Sequence, residues 1–398
     1  MKRQQNYWLN RRNGRKIIRR NKQSSASTYI GVTVTLPIDL IIEILLRLPA
    51  KSIANFRCVS KQWSSIIRRP NFTESFSKNS LSRPRLLFTF RIVSKWHFFS
   101  SPQPRINFDE KSVVATDYRM GYSRGQLIRM KIWQSVHGFI YLNYVARCKG
   151  KIDEVINVIC NPCTGQHIYL PQVKGNNYYL RCFFGYDPIG KQFKVLCRTQ
   201  NLFEHYQVLT LGTRELSWRK IECSFRHCPK KENNNGICIN GVIYYKALIN
   251  NSSSTIVCFD VRSEKFSFIE IEKARPLNLI NYKGKLGVLL CFDYGSSLAE
   301  VWVLDDAKKV KWSKHTIVLL NPARKPINSI WATDMGEIAW ASSRWTNPLY
   351  VYYYHLERQS VRRVEIKEIK DKVLIGGDHD HPNNFFAFTN HVENLMFL

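Results

Sequence analysis

The sequence predicts an α + β multidomain chain, a short N-terminal unit of three helices followed by an all-β, β-propeller-like domain. Three observations predict it. A greasy stretch bracketed by prolines stands near the start, the remainder is written in short alternating apolar runs, and those runs recur at a spacing near fifty residues.

The greasy stretch is LPIDLIIEILLRLP, residues 36–49, with nine apolar side chains and two prolines in fourteen residues. A helix needs about 20 mostly apolar residues to span a bilayer. Pro37 and Pro49 bracket only eleven, and Asp39, Glu43 and Arg47 fall among them. Proline suits the first turn of a helix and ends one later on. Acids near the amino end and a base near the carboxyl end complement the helix dipole. The spacing predicts a helix over 37–47. Leu40, Ile44 and Leu48 form one apolar row, and Ile41 and Leu45 form the next. One buried stripe does not need both rows, so one face packs inward and the other meets something else.

After Pro49 the chain reads AKSIANFRCVSKQWSSIIRRPNF. Ile53, Phe56 and Val59 recur at near-helical spacing, then Trp63, Ile66 and Ile67 do so. Ser60 is placed to cap the third segment and Pro70 to end it. The expected helices are 37–47, 51–58 and 61–68. A unit this small is marginal alone and gains by burying its spare apolar face on a partner.

From about residue 85 the texture turns to strands, with turn signals at DPIG (187–190), NG (240–241), KG (283–284) and MG (335–336). Hairpins open with GFIYL at Gly138, GKQFKVL at Gly190, GVIYY at Gly241, GKLGVLL at Gly284 and GEIAW at Gly336, at spacings of 52, 51, 43 and 52 residues. Each is followed by a second hairpin, in which Trp218, Phe266 and Trp312 take similar places. Four strands per unit at this period is the arithmetic of a kelch-like propeller. Five units are visible. RLLFTFRI (85–92) and FFAFTNHV (385–392) would supply or close a sixth, joining the chain ends, since an open edge strand invites aggregation. Two sheets in a sandwich would fit the strands but not the period.

Composition narrows the function classes. At 398 residues with 44% hydrophobic side chains, the chain can bury a large core. Its start lacks the apolar stretch of a signal peptide, so the eleven cysteines are expected as reduced thiols and the location as cytoplasm, nucleus or both. The net charge is +30, of which residues 1–30 carry +9 with no acid and residues 31–80 carry +4. The remaining +17 is spread among interspersed acids. The first thirty residues are expected as a disordered basic arm, either a solvated tail or a nuclear-import signal. This distribution argues against a dedicated phosphate-binding face, and a basic propeller that binds nucleic acid is the alternative reading.

No GxxxxGK[ST] or HExxH motif occurs, and no catalytic residue, cofactor or metal ligand is assigned. Cys160-Asn-Pro-Cys163 has zinc-ligand spacing but no second pair, and Asn-Pro-Cys-Thr-Gly suits a turn. Cys223, His227 and Cys228 lack a clear fourth ligand and are expected in a surface loop. Asp378-His-Asp-His381, between Gly377 and Pro382, is expected to be a loop. Loops around Gly175–Tyr179, Lys230–Asn235, Ile249–Ser254 and Ser343–Pro348 are where a propeller face would grip a target, but no single residue is assigned to substrate binding.

Two stretches carry a family likeness. LPxDLxxEILxRLPxKSxxxFRCVSKxWxxxI, present as Leu36 to Ile67, resembles the F-box in the form common in plant proteins; Ile53 stands where leucine is more usual. SRPRLLFTF (82–90), FFSSPQP (98–104), ICNPCTGQHIYLP (159–171), FFGYDPIGKQFKVL (183–196) and the terminal NHVENLMFL resemble the F-box-associated domain of plant F-box proteins. The resemblance implies an F-box over 31–76 and a target-binding β domain over 82–395. It implies docking on a Skp-type adaptor, and through it a cullin-RING ligase of the SCF type, with an unidentified protein as substrate. Leu36, Pro37, Leu40, Ile44, Leu48 and Pro49 would then lie at the adaptor interface, while Phe56, Val59, Trp63 and Ile67 would hold the F-box helices together. No membrane partner is expected, and ubiquitin transfer would fall to other subunits.

Overall fold

The computed structural model describes residues 36–92, 95–104, 112–114, 116–118, 126–147, 154–173, 180–199, 205–229, 236–249, 253–271, 277–291, 298–307, 309–318, 327–342, 346, 348–367, 369 and 383–396. The basic arm, the Asp378–His381 loop and most of the candidate gripping loops lie outside these residues. By internal contacts the chain divides into Met1–Ile41 and Ile42–Leu398. Of the first unit, residues 36–41 are described; they form the approach to a helix and its first turn.

Four helices open the described residues: α1 (Ile38–Arg47), α2 (Ala50–Phe56), α3 (Lys61–Ile67) and α4 (Pro70–Leu81). The sequence pattern gives the first three within a residue or two at most ends. Ser60 caps α3 as expected, its hydroxyl accepting from the Trp63 amide at 3.1 Å. The fourth helix was not foreseen. Pro70 does end α3, but it also occupies the first turn of α4, where its missing N–H costs nothing. Phe72 and Phe76, one turn apart, bury that helix.

The rest of the described residues form six antiparallel sheets of four or five strands, with one parallel strand added to one of them. Five sheets follow the repeat read from the hairpins. The sixth is assembled from both ends: strand Asn383–His391 pairs with Arg85–Ile92, which continues to Lys95–Pro102 and Thr116–Tyr118. The inner strands neighbour one another around a closed ring, so this is a six-bladed propeller.

The core lies between blades. Phe139, Tyr141 and Ile159 of one blade pack with Phe184, Phe193 and Val195 of the next. Ile243 and Tyr245 likewise meet Phe183 and Leu196, and the pattern continues round the ring. Leu86, Phe88, Phe90 and Phe99 of the shared blade close on Ala339, Val351, Tyr353 and Val364. Trp218, Phe266 and Trp312 each pack against one of these inter-blade clusters, which explains their recurring position.

Two turn glycines show why the repeat is punctuated as it is. Gly138 has φ +84, and a Cβ there would collide with the Val392 carbonyl and stand 2.8 Å from Asn394 Cβ. Only glycine lets the terminal segment pass so close to a left-handed turn. At DPIG the left-handed residue is Lys191, φ 52, rather than Gly190, whose role is to make room for the Asp187 carboxylate.

The cysteines depart from expectation at one place. Cys182 and Cys197 are directly opposed in register and form a disulfide, Cα–Cα 4.1 Å, where reduced thiols were expected. Cross-strand register puts both side chains on one face of the sheet.

Candidate protein-interaction surfaces

Along α1 the two apolar rows part company. Ile41 and Leu45 are buried, at 5% and 0% exposure. Leu36, Leu40 and Ile44 are 48%, 47% and 48% exposed, Leu48 is half-buried and Pro49 is exposed. Ile38, in the first turn and outside the row, is as exposed at 45%, a residue that row-counting missed. Asp39 occupies the first turn and Arg47 the last, where Arg47 pairs with Glu43 one turn back. The carboxyl end of α1 is tied from outside: the Arg83 guanidinium donates to the carbonyls of Leu46 (2.9 Å) and Arg47 (2.7 Å). A cation on the last carbonyls satisfies orphan acceptors and complements the dipole.

Of the four residues expected to hold the helices together, three are packed. Phe56 and Trp63 are half-buried with ring centroids 4.9 Å apart, and Ile67 is 1% exposed. Val59 is not. It is 63% exposed. The helical period that placed it beneath Ile53 and Phe56 stops at Phe56, and residues 57–59 form a turn closed by Val59 N–H to the Phe56 carbonyl at 3.1 Å. Ile53, in the same row, is 0% exposed as that period expects.

The helices from α2 onward are joined to the propeller through one buried carboxylate. Glu393, 6% exposed, accepts from the Ala50 amide at the start of α2 (3.2 Å). It lies 3.7 Å from Arg85 Nε on the first strand of the shared blade. Its own amide donates to the Ser80 hydroxyl of α4 at 2.7 Å. An exposed pair, Lys191–Glu74 at 2.7 Å, adds a second tie, and the Lys191 ammonium holds the Glu74 carboxyl below its usual range. The terminal HVEN segment therefore closes the ring and anchors two helices.

Cys160-Asn-Pro-Cys163 is a turn: the Asn161 side chain accepts from the Cys163 amide (3.0 Å), Gly165 N–H reaches the Asn161 carbonyl (2.9 Å), and Gly165 takes φ +74. Asn161 also donates to the Asn394 carbonyl at 2.8 Å, tying the turn to the terminal segment. The expectation of a surface loop at Cys223, His227 and Cys228 fails for Cys228, which lies in the strand His227–Pro229, and most of all for His227. It begins a short strand, is 2% exposed, and its Nε2 lies 2.6 Å from the Tyr245 hydroxyl and 2.8 Å from that of Tyr206. Burial pushes its pKa down to about 4, and nearby Arg198 works in the same direction. No group of three or more metal-ligating side chains occurs among the described residues.

A cavity of about 480 Å³ lies on the inner strands. Gln134, Tyr186, Lys246, Asn278 and Trp331 are among the residues that line it, together with Leu81 of α4. The arrangement defines a class: a ring-shaped β scaffold bearing a small helical unit whose exposed apolar row is suited to a protein partner.

Two family models match this chain, the F-box domain over residues 35–75 and the F-box associated beta propeller domain over residues 85–392. Among curated relatives, At1g46840, an Arabidopsis thaliana protein that carries the F-box name, is 54% identical, covering 99% of this chain and 81% of the relative. At1g46984 of the same plant is 57% identical, covering 92% of this chain and 94% of the relative. The Arabidopsis thaliana F-box protein DOR is 41% identical, covering 91% and 94%. The chain belongs to the F-box proteins that carry an F-box associated β-propeller domain.

Proposed function

We propose that the chain is the substrate-recognition subunit of an SCF-type ubiquitin ligase. Residues 31–76 attach it to a Skp-type adaptor, and through that to a cullin-RING ligase, while residues 82–395 bind the protein to be modified. The observation that carries the reading is the row Leu36, Leu40 and Ile44, apolar and about half exposed on an element whose opposite row is buried. Leu48 and Pro49 extend that row, and Pro37 fixes the chain as it enters the helix. On this reading the chain is a receptor without catalysis of its own, working in the cytoplasm, the nucleus or both.

Co-purification of the full chain with a Skp-type adaptor tests it, comparing the natural sequence with Leu40→Asp, Ile44→Asp. Each lost apolar contact is worth about 1.5–3 kcal/mol, and a carboxylate buried without a partner costs more. The double variant is expected to lose the adaptor with its melting midpoint unchanged. If both forms bind equally, or neither does, the row is not an adaptor surface.

A further inference from the structure

Residues from the inner strands of all six sheets line the cavity of about 480 Å³, so it lies at the centre of the ring. A volume of this size suits a small molecule. Two of its lining side chains carry N–H groups that the fold leaves unused. Gln134 is 4% exposed, and its side-chain oxygen accepts from the Phe184 amide. That bond fixes which way the side-chain amide points, and Nε2 is buried without a hydrogen-bond partner among the described residues. Trp331 Nε1 is likewise buried and unpartnered among them. A buried donor left unsatisfied is costly, and buried polar groups as a rule find an acceptor. Both side chains line the cavity, so an acceptor seated there is the group that would satisfy them.

The charge of the lining is one-sided. No aspartate or glutamate is among the described lining residues, and Lys246 is the one cation. His137 also lines the cavity, but burial holds its pKa below the ordinary value, so its ring is neutral at physiological pH. Lys246 sits on the second strand of its blade, Val242–Ile249. Two short strands pair with the inner edge there, Ile237–Ile239 against Val242–Tyr244 and His227–Pro229 against Ala247–Ile249. Among the described residues nothing pairs on that edge between them, and at this break Lys246, 7% exposed, lines the cavity. It has contacts within the chain as well. An ammonium carries three donors, so a ligand oxygen can join those contacts.

Donors and a cation without an acid select a ligand rich in acceptors and negative in charge. One ammonium matches one negative charge, which favours a monocarboxylate over a phosphate. Ile280 and Ile330 in the lining favour a hydrocarbon body behind it. We propose that the centre of the ring binds a small carboxylic acid with an apolar body, its oxygens taking the ammonium of Lys246 and the N–H groups of Gln134 and Trp331. The site uses none of the α1 row and survives the failure of the adaptor reading.

Ligand-observed NMR on the full chain tests it with phenylpropanoate, with its amide and phenylpropylamine as matched probes and inorganic phosphate as competitor. Phenylpropanoate is expected to bind at least about tenfold tighter than the amide or the amine, and phosphate is expected not to displace it. Trp331→Phe deletes one N–H, keeps an aromatic ring and should weaken phenylpropanoate about threefold. Gln134→Glu keeps an acceptor for the Phe184 amide and puts a carboxylate oxygen where Nε2 stands. It is expected to weaken the acid by at least about tenfold and the amide by less than about threefold. Equal binding of acid and amide overturns the proposal, as does no binding of the acid up to about ten millimolar. Displacement by millimolar phosphate would show a bare anion site and overturn it too. Photo-cross-linking of a diazirine-bearing benzoate to the natural chain needs no variant. Adducts are expected in the peptides that hold Ile280 and Trp331, and adducts confined to other peptides would refute the site.

Discussion

The strand Arg85–Ile92 and the helix α1 both carry more apolar surface than their own element can hide, and they differ in where the excess goes. Phe88 and Phe90 of the strand are wholly buried, stacked on Phe385 from the far end of the chain at 5.8 and 6.3 Å. The strand's open edge is paired with Asn383–His391. On α1, the row from Leu36 to Ile44 stays about half exposed. One excess is met inside the molecule, by a segment some three hundred residues away in sequence. The other is left uncovered by the described residues. Exposed apolar groups in a folded protein are informative when they are contiguous and when comparable groups elsewhere in the chain have been covered.

The sharpest way to break the comparison is to expose the strand as the helix is exposed. A chain ending at residue 382 lacks the pairing strand, Phe385 and the Glu393 anchor together. It is expected to lose cooperative unfolding altogether and to aggregate through the open edge. Size-exclusion chromatography and circular dichroism would show this, and a monomeric, cooperatively melting truncate would mean that five blades suffice. Glu393→Ala is the milder version. It deprives the Ala50 amide of its acceptor and Arg85 of its carboxylate, at about 3 kcal/mol for a broken buried pair. Urea unfolding should record that loss. A cost below about 1 kcal/mol would show that the helices are held by packing alone.

How far these features could be read in advance follows from the range of the interactions. The α1 rows are local, three or four residues apart, and the exposures follow them. The blades were legible because each repeats the same hairpin, with φ positive at Gly138, Gly241, Gly284 and Gly336. Closure was legible because two apolar strands stood unpaired at the two chain ends. Glu393 was not legible. One acid in a terminal segment gives no sign that it meets an amide 343 residues earlier. His227 was hidden for the same reason, since its hydroxyl partners come from Tyr206 and Tyr245 on two other strands. Helix α4 was missed because a proline that closes one helix also suits the start of the next.

Two buried histidines give the next effect. Burial pushes the pKa of His227 down to about 4 and that of His391, with Arg85 nearby, down to about 3. Both values lie below the ordinary 6.5, so above pH 6.5 neither state binds the proton and stability is flat. As the pH falls below 6.5 the unfolded chain takes up protons that the folded chain refuses, and stability declines until the folded values are reached. The full slope is about 1.4 kcal/mol per pH unit for each histidine, so roughly 2 kcal/mol each by pH 5. Denaturant unfolding at pH 7.5, 6.5 and 5 checks this, with His391→Gln expected to remove about half of the slope. A natural chain equally stable at all three would show that both rings are solvated when folded.

The smallest effect sharpens the comparison within the helical unit itself. Ile67 and Val59 stand eight positions apart in one helical segment and its leading turn, both apolar, yet one is 1% exposed and the other 63%. Ile67→Val removes a single buried methylene and should cost about 0.5–1.5 kcal/mol. Val59→Ala removes two methyl groups from solvent and should fall within about 0.5 kcal/mol of no change. Thermal melts of the two variants separate the cases. If Val59 costs as much as Ile67, it packs against the chain's own helices after all. If it is silent in the melt, the fold gains nothing from its side chain. A valine left exposed at no benefit to folding then stands as the α1 row does: apolar surface that the fold itself does not cover.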